Sequence, residues 1–106
     1  MPSYYIAQIQ PGPQGYVILK SGITGQNIDT RIYTRKRYGP GTKRLYGHKF
    51  HMSVRDLEKN IEKPILATLK TYDICEVSKN YFLVKEDNVP MFVELVKHIV
   101  FTLLER

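Results

Sequence analysis

Residues Ser3–Thr24 read SYYIAQIQPGPQGYVILKSGIT. The first eight, rich in Tyr and Ile, suit a pleated, half-buried surface and predict a strand from Ser3 to Gln10. PGPQG, Pro11 to Gly15, is a turn by its Pro and Gly content. YVILKSGI predicts a second strand, Tyr16 to Ile23. Two strands joined by a short Gly-containing turn make an antiparallel hairpin. Apolar residues fall on both faces of both strands, so the sheet should be covered on more than one side.

Working outward from this hairpin, Asn27 or Asp29 can cap a helix that runs to about Tyr38 and is stopped by Gly39-Pro40-Gly41. Ile28 and Ile32 mark its buried side, while Arg31, Arg35 and Tyr38 share a second face. A third strand is expected over Arg44 to Met52. Ser53 then caps a helix, with Asp56 three residues on. In that helix Leu57, Ile61, Ile65 and Leu69 recur every four residues, and Pro64 predicts a kink or a junction of two helices. NYFLV, Asn80 to Val84, is a short fourth strand. Asp87 is the expected cap of a last helix reaching about Leu104, with an apolar stripe of Val89, Phe92, Val93, Val96, Ile99, Val100 and Leu103. The order β-β-α-β-α-β-α implies an α+β domain with a small, mainly antiparallel sheet of three to four strands flanked by helices.

The totals agree with that plan. A chain of 106 residues with 42% hydrophobic content fits one domain, residues 1–106, with a small core. A net charge of +6 favours polyanionic partners. The single cysteine, Cys75, excludes an intrachain disulfide and a Cys-rich zinc site, and points to a reducing, intracellular setting. No apolar run approaches the roughly 20 residues that span a bilayer, so no membrane partner is expected. The first residues lack a basic start followed by an apolar block, so no secretory signal is expected. No P-loop, dinucleotide fingerprint or nucleophile elbow is present.

Three features carry chemistry. Arg31, Arg35, Lys36, Arg37, Lys43 and Arg44 concentrate cations among Tyr33 and Tyr38, a combination that neutralises phosphates and stacks on bases. Lys20-Ser21-Gly22-Ile23-Thr24 ends a strand in a turn that opens a helix, where backbone N–H groups can approach an anion. Glu58 and Glu62 lie four apart on one helix, and either could hold a cation against a phosphate. The histidines, His48, His51 and His98, have no ligand spacing.

Taken in order, these pieces resemble a GIY-YIG nuclease domain of the divergent branch that carries K-x-G-x-T in place of Y-x-G. That element is KSGIT, Lys20 to Thr24, and the first-strand G-I-Y matches Ser3-Tyr4-Tyr5. The family arginine on the first helix matches Arg31, the Leu-Glu pair matches Leu57-Glu58, and the aromatic strand matches NYFLV. The likeness spans residues 3 to about 85 and leaves the last helix, about 87–105, as an addition. It implies metal-dependent hydrolysis of DNA phosphodiester bonds, with RNA as the other polyanion of that class. Tyr5 would position or deprotonate the attacking water, with Tyr4 as its neighbouring rival. Arg31 would stabilise charge on the phosphate, and Glu58, with Glu62 its rival, would hold Mg²⁺ or Mn²⁺. Lys20 stands where many members have a second Tyr, and Ser3 where they have Gly. Arg35, Lys36, Arg37, Tyr38, Lys43 and Arg44 would contact the nucleic acid. Two other outcomes follow from the departures: an inactive nucleic-acid-binding module of the same fold, or a chain whose last helix makes a homodimer instead of lidding the sheet.

Overall fold

The computed structural model describes residues 1–33, 42–72 and 74–105. The expected helix end at Tyr38 and its Gly39-Pro40-Gly41 stop lie outside them. Strands β1 (Ser3–Pro11) and β2 (Tyr16–Thr24) form the expected hairpin, with Tyr5 opposite Gly22 and Ala7 opposite Lys20. Gly15 turns it with φ of 82°, a conformation glycine adopts without steric cost. Helix α1 (Ile28–Tyr33) follows, capped by the Asn27 side chain, whose Oδ1 accepts from the N–H groups of Asp29 and Thr30. β3 (Lys43–Lys49) then adds antiparallel to the other edge of β1.

A helical rod comes next. It starts as α2 (Val54–Leu57), with Ser53 Oγ accepting from Asp56 N–H, widens into a π turn over Glu58–Glu62, and continues as α3 (Lys63–Thr71). Pro64 explains the widening. Proline has no N–H to donate and its ring crowds the carbonyl four residues back. The turn before it opens instead, and Lys63 N–H donates to Glu58 O, five residues back.

The sheet has five strands, one more than the largest count expected. β4 (Cys75–Ser78) and β5 (Tyr81–Lys85) form a second hairpin, and the strand order is β3-β1-β2-β5-β4, antiparallel throughout. β4 escapes sequence reading because all four residues are exposed, so no buried alternation marks them. Asn80 makes its tight turn with φ of 69°, a left-handed conformation that Asn tolerates. β3 stops at Lys49, short of Met52, because Phe50 turns into the core. A 3₁₀ turn (Glu86–Asn88) leads into α4 (Val89–Leu104). The residue at its cap is Asn88, with no side-chain capping bond, and Asp87 belongs to the preceding turn.

Both faces of the sheet are covered, as the hairpin implied. Tyr4, Ile6, Leu19, Phe82 and Val84 pack under the rod through Leu57, Ile61, Ile65 and Leu69, and under α4 through Phe92, Val96, Ile99 and Val100. On the opposite face Tyr5, Ala7 and Ile9 pack against Ile28 and Ile32 of α1. Alternation along β1 therefore assigns α1 and the rod to opposite layers. α4 buries its stripe on the sheet and leaves Met91, Phe101 and Leu104 exposed. Among the described residues no helix is long and apolar enough to cross a membrane.

Candidate functional site

Tyr5 is 1% exposed and has glycine opposite it on both neighbouring strands, Gly22 on β2 and Gly47 on β3. A Cβ added at Gly22 would fall 2.6 Å from both Cζ and Oη of Tyr5. The phenol thus lies across Gly22, in space that only a missing side chain provides. Lys20 is on the same face, in register with Ala7 and Tyr81, and its Nζ is 5.4 Å from the centre of the Tyr81 ring. α1 covers this face and carries Arg31, whose Nε is buried and has no hydrogen-bond partner among the described residues. A buried guanidinium N–H without an acceptor has a strong demand for an anion.

On the other face the π turn separates two carboxylates that a regular helix would keep together. Glu58 is exposed, whereas Glu62 is buried beside Ile61. The Glu62 carboxyl makes no hydrogen bond or salt bridge among the described residues. Burial holds its proton affinity above the ordinary carboxyl value, the charge of Glu58 adds to that, and Lys79 and Lys20 pull the other way. Lys20 belongs to the Tyr5 face, and its pull on the carboxyl, the smallest of these influences, acts from the other side of the sheet.

Pairing between β2 and β5 stops at Lys20 and Tyr81, and Ser21 N–H donates to the carbonyl of Asn80 at the hairpin tip. Beyond it β2 has no further β5 partner, and this open end of the sheet collects polar groups. Ser21 Oγ donates to Tyr4 Oη at 2.9 Å, both side chains fully buried. Burial raises the Tyr4 phenol far above its ordinary value, against the opposing effect of that bond, and Glu62 and Tyr46 raise it further. Tyr46 Oη and Asn80 Oδ1 are buried without partners among the described residues.

Of the residues singled out in the sequence, Tyr5, Lys20 and Arg31 belong to one face, and Glu58 to the rod on the other. Glu62 is the buried carboxylate. Lys43 and Arg44 are exposed on edge strand β3, where Arg44 Nε lies 3.6 Å from Asp29 Oδ1. Arg35, Lys36, Arg37 and Tyr38 lie outside the described residues. Ser21, Tyr46 and Asn80 were not marked as site residues by sequence. The one signal among them was Asn80, which precedes the aromatic strand. Among the described residues no group of three or more His, Cys, Asp or Glu gathers. Comparisons with family models, with curated proteins and with solved structures gave no match to the chain.

Proposed function

We propose that this protein is a metal-dependent endonuclease that hydrolyses DNA phosphodiester bonds at the open end of its sheet. The observation that carries the reading is the sheet face that holds Tyr5 over Gly22 together with Lys20, covered by the helix whose Arg31 Nε is buried without a partner among the described residues. In this reading Glu62 takes the role that the sequence gave to Glu58, and Glu58 is its outer companion. The residues suit a hard divalent cation. The carboxyl of Glu62 has no hydrogen-bond donor among the described residues, a second carboxylate is near enough to raise its proton affinity, and buried amide and phenol oxygens lie unpartnered at the same end of the sheet. Two carboxylates with water completing the shell are characteristic of Mg²⁺, and Mn²⁺ takes the same oxygens. When bound, such an ion polarises the phosphoryl oxygen and stabilises the leaving oxygen.

The chain's own groups do the rest. Arg31 offers its buried Nε–H to a phosphate oxygen, where charge builds as the nucleophile attacks. Lys20 contributes a point charge to the same phosphate and, as an ammonium, is a poor base. Tyr5, lying over Gly22, orients the attacking water through its hydroxyl. Lys43 and Arg44, with the basic residues that follow α1 in sequence, hold the flanking DNA backbone.

A second reading, a DNA-binding module without cleavage, is favoured by one observation. Tyr5 is 1% exposed, which restricts its access to a nucleophilic water. The two separate on supercoiled plasmid with Mg²⁺ or Mn²⁺, with and without chelator. The nuclease reading expects metal-dependent nicking that is lost in Arg31→Ala and Glu62→Gln. Salt-sensitive binding without nicking would select the module, and nicking unchanged by both substitutions would refute this assignment of the site.

A further inference from the structure

Lys43 and Arg44 are neighbours in sequence, but β3 sends them to opposite layers. Lys43 lies opposite Gln8, on the side of Tyr4 and Ile6, whereas Arg44 lies opposite Ala7, on the side of Tyr5 and Lys20. Arg44 owes its side to a bulge. Tyr46 is opposite Ile6 and Arg44 opposite Ala7, so Leu45 is an extra residue on β3. In a regular strand Arg44 and Gly47, three apart, would point to opposite faces. The bulge brings both to one face, which is how bulges re-aim side chains. The contacts agree. A Cβ added at Gly47 would lie 3.4 Å from Arg44 Cδ, 3.7 Å from Arg44 Nη1 and 2.5 Å from Ile28 Cδ1. The Arg44 stem therefore runs across Gly47, the residue directly opposite Tyr5, and meets α1 there.

From that position Arg44 Nε lies 3.6 Å from Oδ1 of Asp29, in the first turn of α1 and two residues before Arg31. The distance is that of an ion pair and is longer than a hydrogen bond. Both side chains are about half exposed, at 46% and 51%. A pair so exposed is held weakly, and a phosphate offers a guanidinium two parallel hydrogen bonds in its place. We propose that Arg44 is a second phosphate-binding guanidinium of the Tyr5 face, with Arg31 the first, and that Asp29 is its internal competitor, holding Arg44 toward that face and yielding it to a DNA backbone phosphate. Asp29 acts through Arg44 and is a positioning residue. The inference rests on the DNA binding that both readings above share, whereas the face of Arg44 stands on strand register alone.

Two measurements test it. The first needs no DNA. A nuclear Overhauser effect should connect the Ile28 δ1 methyl with the Arg44 δ protons, since both groups line the space over Gly47. Its absence in the folded protein overturns the placement of Arg44 and the competition with it. The second is binding of a labelled DNA duplex in chelator at about 0.15 M salt, where exposed charges more than about 8 Å apart are largely screened. Asp29→Asn should bind about two- to five-fold more tightly than the parent, the scale of an exposed ion pair. The gain should persist in a Lys43→Gln background and vanish in an Arg44→Gln background. A purely structural role for Asp29 would weaken binding instead. Unchanged or weaker binding by Asp29→Asn, or a gain that survives Arg44→Gln, overturns the competition. A parent that does not bind the duplex defeats the DNA reading and this inference together. A parent that binds it, with no gain that depends on Arg44, defeats this inference alone.

Discussion

Gly22→Ala is the substitution that most directly tests how the sheet presents Tyr5. The new methyl would stand 2.6 Å from Tyr5 Cζ and Oη and 3.0 Å from Cε1, and the first two are closer than real Cβ atoms approach a neighbour. The ring is rigid, 1% exposed and backed by Ile28 and Ile32, so it can yield only by pushing on α1. Overpacking of that kind costs about 1–3 kcal/mol. Replacing a strand glycine by alanine returns about 0.5–1 kcal/mol through the unfolded chain. The net expectation is a loss of about 1–2 kcal/mol, and a chain of this size loses about 4–8 °C in Tm for each kcal/mol. Gly47→Ala is the control. Its methyl would meet Ile28 Cδ1 at 2.5 Å, but that atom is the end of a flexible side chain, and a rotamer change costs about 0.5–1.5 kcal/mol. That nearly cancels the backbone gain, so Gly47→Ala should be close to neutral. Gly25→Ala, with nothing within 4 Å, should stabilise by about 0.4–1 kcal/mol. Urea denaturation of the three variants measures the order directly. If Gly22→Ala is no less stable than Gly47→Ala, the placement of the Tyr5 ring is wrong.

Further expectations concern other parts of the molecule. Ser53→Ala removes the acceptor for Asp56 N–H and should cost about 0.5–2 kcal/mol in urea denaturation, whereas Ser78→Ala on the exposed edge strand should cost little. In chelator, Glu62→Gln should gain stability relative to the parent as pH rises. The folded carboxyl binds its proton more tightly than the unfolded chain does, so the parent's stability is whole below the ordinary carboxyl value and falls as pH rises through the raised folded value. A difference between the two proteins that stays constant from about pH 4 to 8 would contradict this. The Cys75 thiol is exposed and should react with a thiol reagent in the native protein without prior unfolding. Strong protection would place β4 elsewhere.

The sequence made some of this legible and not the rest, for physical reasons. The first hairpin, the Asn27 and Ser53 caps, the inward set Leu57, Ile61, Ile65 and Leu69, and the stripe of α4 were all readable, because burial periodicity and capping chemistry are local. β4 was not, since an edge strand exposed along its whole length leaves no apolar pattern. The cap of α4 moved from Asp87 to Asn88 because a 3₁₀ turn intervenes. The site was harder still. Sequence spacing treats Glu58 and Glu62 as equivalent partners on a regular helix, but the π turn ahead of Pro64 exposes one and buries the other. The distribution of Tyr5, Lys20 and Arg31 on one face, with the carboxylates on the opposite layer, depends on sheet register and handedness of packing, which no short motif encodes.

Cleavage and binding followed together on one labelled DNA duplex, for the parent and for Glu62→Gln in Mg²⁺, bear most directly on the nuclease reading. The expected result is that Glu62→Gln binds the duplex within about three-fold of the parent, because the phosphate contacts are untouched, yet cuts it at least about 100-fold more slowly. Equal cutting rates for the two proteins, or a parent that binds the duplex and never cuts it with any divalent cation, would contradict the reading.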